Sequence, residues 1–67
     1  MIKSVSTANS LASFYKNLQG YLDDGYEIMF QYVSTKERFY KIRNPKGNII
    51  TFNFDMHENV ATIKHIK

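Results

Sequence analysis

The segment Leu11-Ala12-Ser13-Phe14-Tyr15-Lys16-Asn17-Leu18-Gln19-Gly20-Tyr21-Leu22-Asp23-Asp24-Gly25-Tyr26-Glu27-Ile28-Met29-Phe30-Gln31-Tyr32-Val33 changes its hydrophobic period once, at Gly25. Before the glycine, Leu11, Phe14, Tyr15, Leu18, Tyr21 and Leu22 recur three and four residues apart, which is one face of an α-helix. Thr7, Asn9 or Ser10 can supply the N-cap oxygen. Gly25 is the natural left-handed residue past the C-terminus. Asp23 and Asp24 stand where the helix dipole disfavours anions, so the helix is expected to end at or just before them. Gly20 is a rival stop signal, but the apolar phase continues past it and the helix is expected to run through.

After Gly25 the period becomes two. Tyr26, Ile28, Phe30 and Tyr32 alternate with Glu27, Met29, Gln31 and Val33, the pattern of a strand with one strongly apolar face. Ser34-Thr35-Lys36 offers a turn, and residues 37–43 make a second strand. Asn44-Pro45-Lys46-Gly47 is the sharpest turn signal in the chain, because Asn suits the first position, Pro presets φ at the second and Gly suits the fourth. Residues 49–54 and 60–66 read as two more strands around a loose turn at 55–59. Residues 1–6 fit either a short strand or a loose arm.

Short connections make neighbouring strands antiparallel. The expected fold is α+β, with one N-terminal helix packed on a four-stranded antiparallel meander in two layers, and one domain over residues 1–67. The helix is expected over Ile28, Phe30, Tyr40, Ile42, Ile50, Phe52 and Ala61 or Ile63. The open face is then expected to carry Met29, Gln31, Val33, Phe39, Lys41, Arg43, Ile49, Thr51 and Asn53.

Sixty-seven residues lie near the lower limit for a chain that folds without staples, so packing must be efficient or a partner must help. There is no cysteine, hence no disulfide, thiolate metal site or cysteine nucleophile, which favours a reducing compartment. No apolar run is long enough to span a bilayer, and no signal-peptide stretch opens the chain. A soluble cytoplasmic protein without a membrane partner is expected. Lysine outnumbers arginine seven to two, with isoleucine and asparagine frequent. That hints at an AT-rich coding sequence, such as that of a phage, a mobile element or a low-GC bacterium.

Chemistry is sparse. His57 and His65 lack clustered carboxylates or ligand-spaced partners, so no metal site and no cofactor are expected. The serines lack a nucleophile-elbow motif or a base at a suggestive spacing, and Asp23-Asp24 reads as a solvated turn, so no catalytic residue is assigned. The glycines at 20, 25 and 47 do not form a phosphate-binding loop.

The remaining candidate is Lys36-Glu37-Arg38-Phe39-Tyr40-Lys41-Ile42-Arg43-Asn44-Pro45-Lys46, which holds five of the nine basic residues of a chain with net charge +3. As a strand it places Phe39, Lys41 and Arg43 on one face, and Arg38, Tyr40 and Ile42 on the other. Lys36, Arg38, Phe39, Lys41, Arg43 and Lys46 are therefore the candidate binding residues, with Met29, Val33 and Ile49 as apolar contacts on the open face. Two partner classes fit. The first is a protein, docked on an exposed apolar patch rich in aromatics or on a sheet edge. The second is nucleic acid, with Phe39 stacking a base and the cations on phosphates. The chain lacks the βαββαβ order and glycine-aromatic signature of the RRM. The sequence is read first as a non-enzymatic module that docks stoichiometrically on a protein, an inhibitor or modulator of a macromolecular machine. A small basic nucleic-acid-binding protein is the alternative. A homodimer through an edge strand or the open face is a further partner arrangement.

Overall fold

In the computed structural model, residues 3–8 are described by their backbone and residues 10–67 in full. The elements are β1 (Lys3–Ala8), α1 (Leu11–Asp23), β2 (Glu27–Val33), β3 (Glu37–Arg43), β4 (Ile49–Asp55) and β5 (Val60–His65). They form one helix on an antiparallel sheet, as the change of period implies. The meander β2-β3-β4-β5 is present, and the sheet gains a fifth strand in the order β1-β5-β4-β3-β2. Of the segment that fitted either strand or arm, residues 3–6 belong to β1, while Met1 and Ile2 lie outside the described residues, as does the N-cap candidate Asn9.

The topology has a simple physical cause. Every neighbouring pair is antiparallel, so β1 and β2, at opposite edges, run in the same direction. A chain leaving one edge and entering the other in the same sense must first return along the sheet. The 13 residues of α1 make that return over about 20 Å, close to the length of the seven-residue strands beside it.

Both helix ends follow from the sequence. The Ser10 hydroxyl accepts the Ser13 backbone N–H at 3.1 Å, which makes Ser10 the N-cap. At the other end Asp24 is the C-cap and Gly25 adopts φ +104°. The Gly25 N–H donates to the Leu22 carbonyl (3.1 Å), and the Tyr26 N–H to that of Tyr21 (3.2 Å). This is the paired-bond left-handed stop that glycine permits. The rings of Tyr21 and Tyr26 close over it edge to face, 5.3 Å apart. The Asn44–Gly47 turn forms as read, with the Gly47 N–H donating to the Asn44 carbonyl at 3.0 Å and Gly47 at φ +89°.

The core consists of Phe14 and Leu18 from α1, Tyr40 and Ile42 from β3, Ile50, Phe52 and Phe54 from β4, and Ala61 from β5. Phe14 sits at its centre, with ring centroids 6.2 Å from Tyr40, 6.1 Å from Phe52 and 5.4 Å from Phe54. Tyr15 and Tyr40 join hydroxyl to hydroxyl at 2.9 Å at the margin.

The expected helix-covered face is wrong at β2. Ile28 and Phe30 were placed under α1, yet all seven β2 residues are exposed. A helix about 10 Å across cannot shield five strands spaced about 4.8 Å apart, and α1 lies over β3 to β5. A β-bulge between Ile28 and Phe30 adds a second correction. Ile28 pairs with Ile42 and Phe30 with Lys41, so Met29 is the extra residue and everything after it changes face. Gln31 and Val33, expected on the open face, stand opposite Tyr40 and Arg38 on the helix side.

Two predictions follow from this core. Phe14→Ala and Phe52→Ala should each destabilise by about 3–5 kcal/mol, whereas Phe30→Ala should stay under about 1 kcal/mol. Equal losses at all three positions in urea titrations would overturn the assignment. Burial, then the hydrogen bond and charge interaction with Tyr15, push the Tyr40 phenol up to about 12 from its ordinary value of 10.0. The folded state therefore favours the neutral phenol. Its contribution is intact below about pH 10 and is lost as pH rises toward 12. Urea midpoints measured across that window should fall more steeply for the parent than for Tyr40→Phe.

Candidate functional site

The side of the sheet away from α1 is organised by register. Phe30, Lys41, Thr51 and Lys64 form one row across β2, β3, β4 and β5, and Tyr32, Phe39, Asn53 and Thr62 form the next. Two residues along a strand separate the rows by about 7 Å. A third row holds Glu27, Arg43 and Ile49. The Phe30 and Phe39 rings meet at 6.0 Å with planes tilted by 59°. Tyr32 stands directly across from Phe39.

The face carries three cations and three carboxylates, and the row of Lys41 and Lys64 holds none of the carboxylates. Lys41, Arg43 and Lys64 form no ion pair among the described residues. Its carboxylates are at the ends and partly engaged. Asn53 donates to Glu37 at 2.9 Å, and Asp55 accepts the backbone N–H of His57 and Glu58 at 2.8 and 3.2 Å. Glu27 faces Arg43 in the third row. Between the rows lies a shallow hollow of about 290 Å³, lined by Phe39, Thr51, Asn53, Thr62 and Lys64.

The candidate residues divide among three places. Phe39, Lys41, Arg43 and Ile49 share the open face. Arg38 lies on the helix side, where its guanidinium donates to the carbonyls of Ser34 and Glu37. Lys36 and Lys46 are exposed in the turns at the two ends of β3. Met29 occupies the bulge, where a cleft of about 450 Å³ opens between it, Ile28, Arg43 and Pro45. Val33 is on the helix side of β2, beyond the reach of α1.

Sequence reasoning missed Phe30, Tyr32 and Thr62. Its alternation put Phe30 under the helix and Tyr32 in the same apolar phase, and only the bulge turns them outward. The one available signal was the run Ile28-Met29-Phe30, which is apolar in both phases and so weakens a period of two.

Among the described residues no group of three or more His, Cys, Asp or Glu side chains gathers in metal-binding distance, and no helix is long and apolar enough to cross a membrane. No protein-family model matches the chain, and no curated protein or solved structure matches it.

The bulge has a direct test. Nuclear Overhauser contacts should join Phe30 to Phe39 and Lys41, and Gln31 to Tyr40. Deleting Met29 should preserve them, since the flanking pairs already match without it. A Phe30–Tyr40 pairing in the parent protein would instead establish strict alternation.

Proposed function

We propose that the protein is a non-enzymatic docking module that binds another protein stoichiometrically by strand addition to β2. One observation carries the reading: β2 leaves Ile28, Met29, Phe30, Tyr32 and Val33 between 43% and 56% exposed in one continuous strand at the sheet edge. Such an edge offers unpaired backbone groups to an extended segment, and side chains on both faces to fix its identity. Monomeric proteins usually guard an edge with lysine or proline, and β2 contains neither. Its bulge is a partial guard near the start of the strand, and residues 30–33 beyond it pair regularly with β3.

In this reading the module acts in the cytoplasm as an inhibitor or modulator of a macromolecular machine, and its lysine-, isoleucine- and asparagine-rich composition suggests a phage-type origin. No cofactor or catalytic group takes part.

The test is capture from a cell lysate with and without nuclease, repeated with the double variant Ile28→Gln and Val33→Gln. Both positions are exposed, so the fold should be retained. A protein captured by the parent should persist after nuclease treatment and at moderate salt, and the variant should lose it. Capture abolished by nuclease would sink the reading. Elution as a dimer before lysate is added would assign the edge to a second copy of the chain instead.

A further inference from the structure

We infer that the open sheet face is a second binding site, adjoining the β2 edge, and that it takes an unstructured single strand of nucleic acid. The argument rests on the adjacent rows. A row bearing Lys41 and Lys64 lies about 7 Å from a row bearing Tyr32 and Phe39, with Phe30 bridging the two. A nucleotide has the same division, an anionic phosphate on one side and a flat aromatic base on the other. Lying across the strands, a chain sets its phosphates over Lys41 and Lys64 and turns its bases onto the rings. Arg43, in the third row, extends the cationic side.

Lys41 and Lys64 form no ion pair among the described residues and share a row that holds no carboxylate, so the middle of the face favours an anion. The three carboxylates of the face stand outside that row, Glu27 across from Arg43, and Glu37 with Asp55 in the row beyond the rings. The rings then select among anions. Phe30 and Tyr32 are about half exposed, and such rings stack only on bases free of a duplex partner. The hollow beside Phe39 adds polar atoms of Thr51, Asn53 and Thr62 within reach of a base edge. Asn53 donates an amide N–H to Glu37, and its carbonyl oxygen is a second polar atom, an acceptor.

Strand addition uses the outer backbone of β2 with its flanking side chains, and the nucleic-acid site uses the open face, so the two share Phe30 and Tyr32. Ile28 and Val33, on the helix side, belong to the edge alone and let the two sites be tested separately.

The experiment is a fluorescence-anisotropy titration of short mixed-sequence single-stranded DNA, single-stranded RNA and duplex DNA, over a series of salt concentrations. Single strands should bind more tightly than the duplex and remain bound at physiological salt. A preference between DNA and RNA distinguishes the source. Lys41→Ala and Arg43→Ala should each lower the salt slope by roughly 0.7, the value for one lost phosphate contact on a single strand. Phe39→Ala and Tyr32→Ala should weaken binding at least about fivefold with little change of slope. Tyr32 is exposed, so its variant serves even if Phe39→Ala fails to fold. Lys36→Ala and Lys46→Ala, in the turns, should behave like each other and cost less than the face variants. The double variant Ile28→Gln, Val33→Gln should bind nucleic acid as the parent does, even where it loses a protein partner.

Four outcomes overturn the proposal: no binding at low salt, binding that vanishes by physiological salt, equal affinity for duplex, or turn variants as damaging as face variants.

Discussion

A single helix has to shield the sheet, and it is too narrow to do so. The width of α1 matches two or three strands, and the sheet has five. Phe14 decides which strands are covered, because its ring meets Tyr40, Phe52 and Phe54 and so centres the helix on β3 and β4. Leu18, one turn further on, is buried in the same core, and Tyr21 meets Phe52 at 5.5 Å. The exposure of β2 is the geometric remainder of that placement.

The bulge acts on what the helix leaves bare. Without it, Phe30 and Tyr32 would lie on the helix side, beside a helix that does not reach them. With Met29 as the extra residue, they join Phe39 and Lys41 on the open face. Apolar surface that cannot be buried is thereby gathered beside the unpaired cations of β3 and β5. Aromatic rings half in water lose part of the hydrophobic stabilisation that burial would provide. In so small a domain that loss is substantial, and a bound partner would recover it.

The edge and the face of β2 therefore carry different chemistry. The outer backbone of the strand offers hydrogen-bonding groups that are indifferent to sequence, so in the proposed strand addition specificity would fall to the side chains. The open face combines rings and cations, so the proposed binding of a nucleic-acid strand would depend on salt through the cations and hardly at all through the rings. The Tyr15–Tyr40 hydroxyl pair lies on the opposite side of the sheet and belongs to the core margin.

Local features were legible in the sequence because each rests on neighbours in the chain. The α1 periodicity, the Gly25 stop and the Asn44–Gly47 turn depend on φ preferences and on bonds spanning a few residues. The placement of Phe39, Lys41 and Arg43 on one face was legible too, since β3 is a regular strand whose period is two. The coverage of β2 was not legible. Whether Ile28 is buried depends on the width of a helix packed two strands away, and whether Phe30 faces inward depends on one extra residue in the pairing with β3. Both are decided between segments: hydrophobic alternation marks a residue as able to be buried, and only the packed assembly determines whether anything is there to bury it.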